Sequence, residues 1–187
     1  MGLILASGSP QRRKLLTEAG IRYKIVPSRV SERSAEKNPR KLVLLLAKRK
    51  ALAVAKSHPK DLVLGADTMV VCRGQVIGKP KDRKDAERIL RLLNGSWQRV
   101  YTGVALAAQG GKTVLQAAVV SRVLSRKLPE AELLRFAGKH MDKAGGYAVQ
   151  DRDDPFVLRV EGPYDNVVGL PVDAVKRLLA RLRPSRP

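Results

Sequence analysis

Leu3-Ile4-Leu5-Ala6-Ser7-Gly8-Ser9-Pro10-Gln11-Arg12-Arg13 is the stretch on which the fold turns. An apolar run enters a turn of small residues, and the turn opens directly into a helix. Ser9 is a suitable N-cap and Pro10 suits the first helical position. The first backbone N–H groups of such a helix have no intrahelical partner, and the guanidinium forks of Arg12 and Arg13 stand beside them. Free donors and a positive helix end together make an anion site, of the kind that takes phosphate.

Outward from this turn the pattern alternates between strands and helices. Residues 3–6 read as a strand and 10–19 as a helix stopped by Gly20. Residues 22–26 read as extended and 30–38 as a polar loop. Asn38-Pro39 starts a long helix to about residue 57, stopped by His58-Pro59. Residues 62–65 form a short apolar strand, and 69–72 and 75–77 flank Arg73-Gly74 as a hairpin. Asp82 caps a helix whose Ala86, Ile89, Leu90 and Leu93 recur at helical spacing until Asn94-Gly95. Long extended runs at 100–108 and 114–124 are joined by residues 109–112. A helix at 129–136 is ended by Gly138, a strand covers 156–160, and a closing helix covers 171–182. Strands linked by both helical crossovers and hairpins imply a mixed α/β sheet covered by helices, with parallel and antiparallel pairs. Without repeats, low-complexity tracts or long linkers, residues 1–187 read as one domain.

The net charge of +20 is carried by 37 Lys/Arg against 17 Asp/Glu. Residues 1–60 alone hold 15 basic residues against Glu18, Glu32 and Glu36. Such a balance suits nucleic-acid binding, capture of a small polyanion, or a generally basic surface. The excess is scattered through every segment, the last helix included, which favours the surface reading over a dedicated polynucleotide site. The single cysteine, Cys72, lies in an apolar run and fits a structural thiol in a reducing compartment. No apolar run is long enough for a membrane span or a signal-peptide core, so the expected location is the cytoplasm.

Some patterns invite misreading. Gly110-Gly111-Lys112-Thr113 resembles the end of a P-loop, but Leu106 stands where the earlier glycine is needed and the segment joins two strands. Asn94-Gly95-Ser96 matches a glycosylation sequon, yet reads better as a helix stop. His58 and His140 lack neighbouring Cys or His, which argues against zinc.

Chemistry gathers around Gly65-Ala66-Asp67-Thr68, directly after the short strand of residues 62–65. Open α/β sheets place ligand-contacting groups at the carboxyl ends of strands. Glu32 and Asp82 are further acids that could join Asp67; Asp82 has an alternative task as a helix cap, so Glu32 ranks first. A magnesium ion needs one or two protein carboxylates when phosphates supply other ligands. Arg12, Arg13, Lys50 and Lys79 supply cations, Lys79 from a stiff turn between Gly78 and Pro80. Phosphoryl chemistry needs this combination: cations for developing charge, a carboxylate for metal, and one to orient water. An acid among several cations is expected to keep a low pKa, which makes Asp67 a water-positioning group rather than a strong base.

Seven segments occur in a recognisable order. They are Ser7-Gly8-Ser9-Pro10-Gln11-Arg12-Arg13, Leu46-Ala47-Lys48-Arg49-Lys50-Ala51, Gly65-Ala66-Asp67-Thr68, Gly78-Lys79-Pro80, Tyr101-Thr102-Gly103-Val104, the run of residues 142–150 (Asp-Lys-Ala-Gly-Gly-Tyr-Ala-Val-Gln), and Asn166-Val167-Val168-Gly169-Leu170-Pro171. Together they span nearly the whole chain and resemble the Maf family of nucleoside triphosphate pyrophosphatases. The resemblance implies an inosine triphosphate pyrophosphatase-like (Maf/Ham1) fold, a strongly bent mixed sheet in two lobes around a cleft. It implies hydrolysis of a nucleoside triphosphate to monophosphate and pyrophosphate with a divalent cation, Mg2+ or Mn2+, by a homodimer. The family's catalytic base falls on Asp67, and its other functional positions on Ser7, Arg12, Arg13, Glu32, Lys50 and Lys79. Glu32 and Asp67 would hold the metal.

Base choice follows the same resemblance. The dTTP/UTP type carries arginine after the proline of the first motif, threonine after the catalytic aspartate, and glutamine in the Tyr-x-x-Gln segment. Thr68 and Gln150 match, whereas Gln11 replaces the arginine. An amide at Gln150 offers both donor and acceptor to a uracil or thymine edge. The expected activity is therefore dTTP and UTP hydrolysis in nucleotide-pool cleaning. The alternatives are another base preference such as 7-methyl-GTP, or a nucleic-acid-binding or division-regulating protein with a vestigial cleft. Ser31-Glu32 leaves one carboxylate where the family has a pair, and Asp151-Arg152-Asp153-Asp154 reads as a charged surface turn.

Overall fold

The computed structural model describes residues 1–141, 143–147 and 156–182. In chain order the elements are β1 (Leu3–Leu5), α1 (Pro10–Glu18), β2 (Lys24–Ile25), α2 (Pro39–Ala55), β3 (Leu62–Cys72), β4 (Gln75–Ile77), α3 (Arg83–Leu93), β5 (Trp97–Ala108), β6 (Thr113–Ser125), α4 (Glu130–Phe136), β7 (Val157–Glu161), α5 (Tyr164–Val168) and α6 (Val172–Leu182). The strand order is β2-β1-β3-β5-β6-β7, with β4 paired to β3. β1 pairs in parallel with β2 and β3, while β3–β4 and β6–β7 are antiparallel. The mixed α/β class expected from the alternation of elements is therefore observed. Two compact units result: Met1–Asp67 with Thr102–Val119 and the segment from Gly169, and Thr68–Tyr101 with Val120–Val168.

In the first unit, helix starts follow from local chemistry. The Ser9 hydroxyl accepts from the Arg12 N–H, and Asn38 Oδ1 accepts from the Lys41 N–H at 3.1 Å, each cap being followed by proline. Strand residues alternate between two cores, as a pleated backbone requires. Leu5, Leu64, Val104 and Leu106 pack with Leu16 of α1 and Val175 and Leu178 of α6. Ile4, Val63 and Ala105 pack instead with Ala47, Ala51 and Val54 of α2. The α2 contact is unusually close. A Cβ on Gly65 would overlap the Ala47 carbonyl and come within 2.7 Å of the Ala51 nitrogen; one on Gly103 would overlap the Val43 carbonyl and lie 2.8 Å from the Leu44 nitrogen. Glycines on neighbouring strands thus let the helix backbone rest directly on the sheet.

The second unit holds the β3–β4 hairpin, with Val70 opposite Ile77 and Arg73 and Gly74 both at positive φ. Asp82 caps α3 by accepting from the Asp85 N–H at 2.8 Å, the task that set it below Glu32 as a ligand. Ile89, Leu90 and Leu93 of α3 pack with Val100, Val123, Leu133 and Phe156. Cys72 is buried there, its thiol within donating reach of the Leu92 and Trp97 carbonyls. Asn94 exchanges hydrogen bonds with both backbone groups of Leu128, so it pins a loop besides ending α3.

Two expectations need correction. The apolar strand does not stop at residue 65: β3 continues unbroken to Cys72, and Asp67 lies inside it rather than beyond its carboxyl end. Gly65 reads as the last residue of that strand, whereas it lies inside β3, where its missing Cβ admits α2. The five-residue α5 was not foreseen, being too short to show a helical period. The Gln109–Gly111 segment forms a single 3-10 turn joining β5 to β6, neighbours in the sheet, in keeping with its reading as a link between two strands rather than a P-loop. No helix among the described residues is long and apolar enough to cross a membrane.

Candidate active site

The site grows from the middle of β3. Asp67 is 7% exposed, and its Oδ1 accepts from Lys50 Nζ at 2.6 Å. The same ammonium lies 2.6 Å from Oε1 of Glu32. Lys50 reaches Asp67 because α2 sits so close to the sheet. Glu32 belongs to the loop before α2, and a second tether holds that loop: Arg49 donates to the Arg33 carbonyl at 2.8 Å. Successive loop residues are therefore fastened by successive helix residues. Arg49 was not singled out from the sequence, where it reads as one more cation in a basic run.

The opening turn is joined to this strand by Arg12. Its Nε donates to the Gly169 carbonyl at 2.9 Å, and its Nη1 donates to the Ala66 carbonyl at 2.9 Å and to Ser7 Oγ at 3.1 Å. The guanidinium thus ties the β1–α1 turn, the residue preceding Asp67 and the segment leading into α6. Ser7 Oγ also accepts from the Ser9 N–H at 3.3 Å. Gln11 Oε1 accepts from the Ser9 hydroxyl at 3.0 Å, which directs that amide oxygen back to its own turn. Arg13 Nε is buried without a hydrogen-bond partner among the described residues. An unmet charged donor at a helix N-terminus is a position suited to an anion.

Burial raises the Asp67 carboxyl above its ordinary value; Lys50, through charge and hydrogen bond, and Arg12 oppose the shift, while Glu32 adds to it. This corrects the expectation of a low pKa. Counting cations from the sequence omitted desolvation, which is the largest influence here. Arg12 is shifted down by burial, against the attraction of Asp67 and Glu32. A carboxyl kept basic in this way is suited to accept a proton, not only to orient water.

Ser7, Arg12, Arg13, Glu32, Lys50 and Asp67 all belong to the first unit, and Lys50 brings Glu32 and Asp67 together. Lys79 and Thr68 belong to the second unit, Lys79 exposed in the connection between β4 and α3 and Thr68 half-buried within β3. Gln150 and residues 151–154 lie outside the described residues. Among the described residues no group of three or more His, Cys, Asp or Glu side chains gathers for a metal ion. The Glu32–Asp67 pair nevertheless presents two hard oxygen donors to one point, now held by an ammonium. Such a pair fits Mg2+ or Mn2+ when the remaining ligands come from phosphate and water.

Comparison with known proteins bears on this geometry. The family model described as Maf-like protein matches residues 2–182. A dTTP/UTP pyrophosphatase of Elusimicrobium minutum is 49% identical over 96% of this chain and 97% of its own length. Proteins of the same name from Geobacillus sp. (strain WCH70) and Deinococcus radiodurans are each 43% identical, over 96% and 95% of this chain and 97% and 91% of theirs. Among solved structures, a nucleoside-triphosphatase/dITP/XTP pyrophosphatase from Mycobacterium abscessus aligns over 98% of this chain and 100% of its own, with TM-score 0.47 and 16% identity. The Staphylococcus aureus Ham1 protein does so over 98% and 100%, with TM-score 0.48 and 13% identity.

Proposed function

The chain belongs to the Maf family, and from that premise we propose that it is a nucleoside triphosphate pyrophosphatase acting on dTTP and UTP. The observation that carries the reading is the buried, proton-seeking Asp67 sharing the Lys50 ammonium with Glu32, on a strand tied by Arg12 to an anion-binding turn. The dTTP/UTP pyrophosphatases that are 43–49% identical over nearly their full length support the substrate choice.

Asp67 accepts a proton from the water whose oxygen attacks the α-phosphorus. The new bond forms as the α-phosphorus to bridging-oxygen bond breaks, and pyrophosphate leaves. Glu32 and Asp67 would hold a divalent cation, which when bound would neutralise phosphate charge and polarise the phosphorus centre. Arg13 and the N–H groups opening α1 hold phosphate oxygens, joined in this role by Ser7. Lys50 offsets the charge that develops on the departing pyrophosphate, a role the family resemblance assigns to Lys79 as well. Arg12, with donors already given to Ser7, Ala66 and Gly169, keeps the turn and the strand in register for substrate. The family resemblance assigns base recognition to Thr68, Gln150 and Gln11, and a glutamine amide offers both donor and acceptor to a pyrimidine edge. The setting is nucleotide-pool cleaning in the cytoplasm, supported by the lone buried Cys72, with the homodimeric state carried over from the family resemblance.

Pyrophosphate release measured across a panel of nucleoside triphosphates with Mg2+ or Mn2+ tests this reading. Fastest turnover of dTTP and UTP is expected. A preference for a methylated purine triphosphate overturns the base assignment, and release of inorganic phosphate alone overturns the site of cleavage.

A further inference from the structure

Lys50 Nζ is the atom that joins the two carboxylates of the site. It lies 2.6 Å from both Asp67 and Glu32, on a side chain only 11% exposed. A cation that bridges the two carboxylates where they converge competes with the ammonium for Asp67 Oδ1 and Glu32 Oε1 and for the space between them. Pushing the ammonium aside without a replacement anion leaves a buried positive charge unpaired, a costly outcome. A triphosphate provides that anion. We infer that Lys50 is a resident stand-in for the divalent cation: it closes the carboxylate pair in the empty protein and yields it only as the nucleotide arrives to receive the ammonium. The inference rests on the reading that Glu32 and Asp67 hold the metal.

The loop geometry supports an exchange rather than a collapse. Glu32 does not depend on Lys50 alone for its place, because the neighbouring Arg33 carbonyl is held separately by Arg49. When the ammonium turns to a phosphate, the carboxylate pair stays assembled for the incoming ion. Nucleotide and metal then strengthen one another's binding through a single side chain, a reciprocal coupling between two ligands. The empty site is also guarded against capture of metal without substrate.

The test titrates full-length protein with Mn2+ by calorimetry or electron paramagnetic resonance, with and without α,β-methylene-dUTP, correcting for chelation by the free analogue. Wild type should bind Mn2+ weakly alone and more tightly with the analogue, by a factor of about 5–150, the usual range for coupled ligands. Lys50→Met and Lys50→Gln should bind Mn2+ tightly without the analogue and lose most of that coupling. Lys50→Arg, which keeps the charge, should still bind Mn2+ weakly alone. Equal Mn2+ affinity of wild type with and without analogue overturns the inference, as does a folded neutral variant that binds no more tightly alone. Glu32→Gln and Asp67→Asn separate the two claims. If neither weakens Mn2+ binding in the presence of analogue, the metal-site reading fails and the inference with it. If both do while the neutral Lys50 variants behave as wild type, only the exchange is wrong.

Discussion

At Asp67 two demands on one carboxyl conflict. Its side chain must sit on β3 against α2 to meet Lys50, and that burial disfavours the charged form. The folded protein therefore binds the Asp67 proton more tightly than the unfolded chain does. The sign follows from linkage. Stability associated with this group is fully present below its ordinary value of 3.8 and is lost as pH rises through the raised folded value. Asp67→Asn should accordingly gain in thermal midpoint relative to wild type as pH is raised across that window, while turnover falls by roughly 10²–10⁴ with nucleotide binding retained. In wild type, log kcat/KM should climb with unit slope and level off only above the ordinary carboxylate range. Melting curves and pH-rate profiles check both; wild-type turnover by the Asn variant removes Asp67 from the chemistry. The acids and cations were legible because they stand in short motifs. The direction of the pKa was not, because desolvation depends on what covers the residue, and the covering helix is remote in sequence.

The α2–sheet contact decides whether those residues meet at all. Its helical extent was legible from Asn38-Pro39 and His58-Pro59, and the observed α2 ends within two residues of that expectation. What was not legible is the task of the missing Cβ at Gly65 and Gly103, positions that read locally as a strand end and the interior of an extended run. A strand-interior glycine is conspicuous only once its opposing helix is known. Gly65→Ala should drive the helix backbone off the sheet, since the added atom meets Ala47 and Ala51 main chain, which cannot rotate away. The expected cost is roughly 1–3 kcal/mol or more in urea unfolding. Because Lys50 precedes Ala51, turnover should fall in the surviving folded fraction, whereas Gly20→Ala, which meets no heavy atom within 4 Å but is strained by its φ of +69°, should cost stability without lowering turnover in the folded fraction. Unchanged stability and rate in Gly65→Ala contradict a close helix seat.

For the molecule as a whole, the charge of +20 is the property that no single contact explains. Only 17 acidic residues face 37 basic ones, and several of those acids are engaged in ion pairs, such as Asp85 with Arg88 and Glu161 with Arg122 and Arg159. The remaining positive field extends beyond the site, and a triphosphate is the kind of ligand such a field gathers. Charge scattered over the surface acts on encounter rather than on the bound state, so its signature is kinetic. The screening length shrinks from about 30 Å at 0.01 M salt to about 10 Å at 0.1 M. Over that range kcat/KM for dTTP should fall by about tenfold or more, while kcat, set after binding, changes little. Mixed-sequence duplex DNA should compete only at the low-salt end, because binding through phosphates alone weakens steeply as salt rises. A kcat/KM independent of ionic strength would separate the basic surface from substrate capture. Competition by duplex persisting at about 0.2 M salt, where phosphate-driven binding has already weakened steeply, would instead assign the charge to a polynucleotide partner.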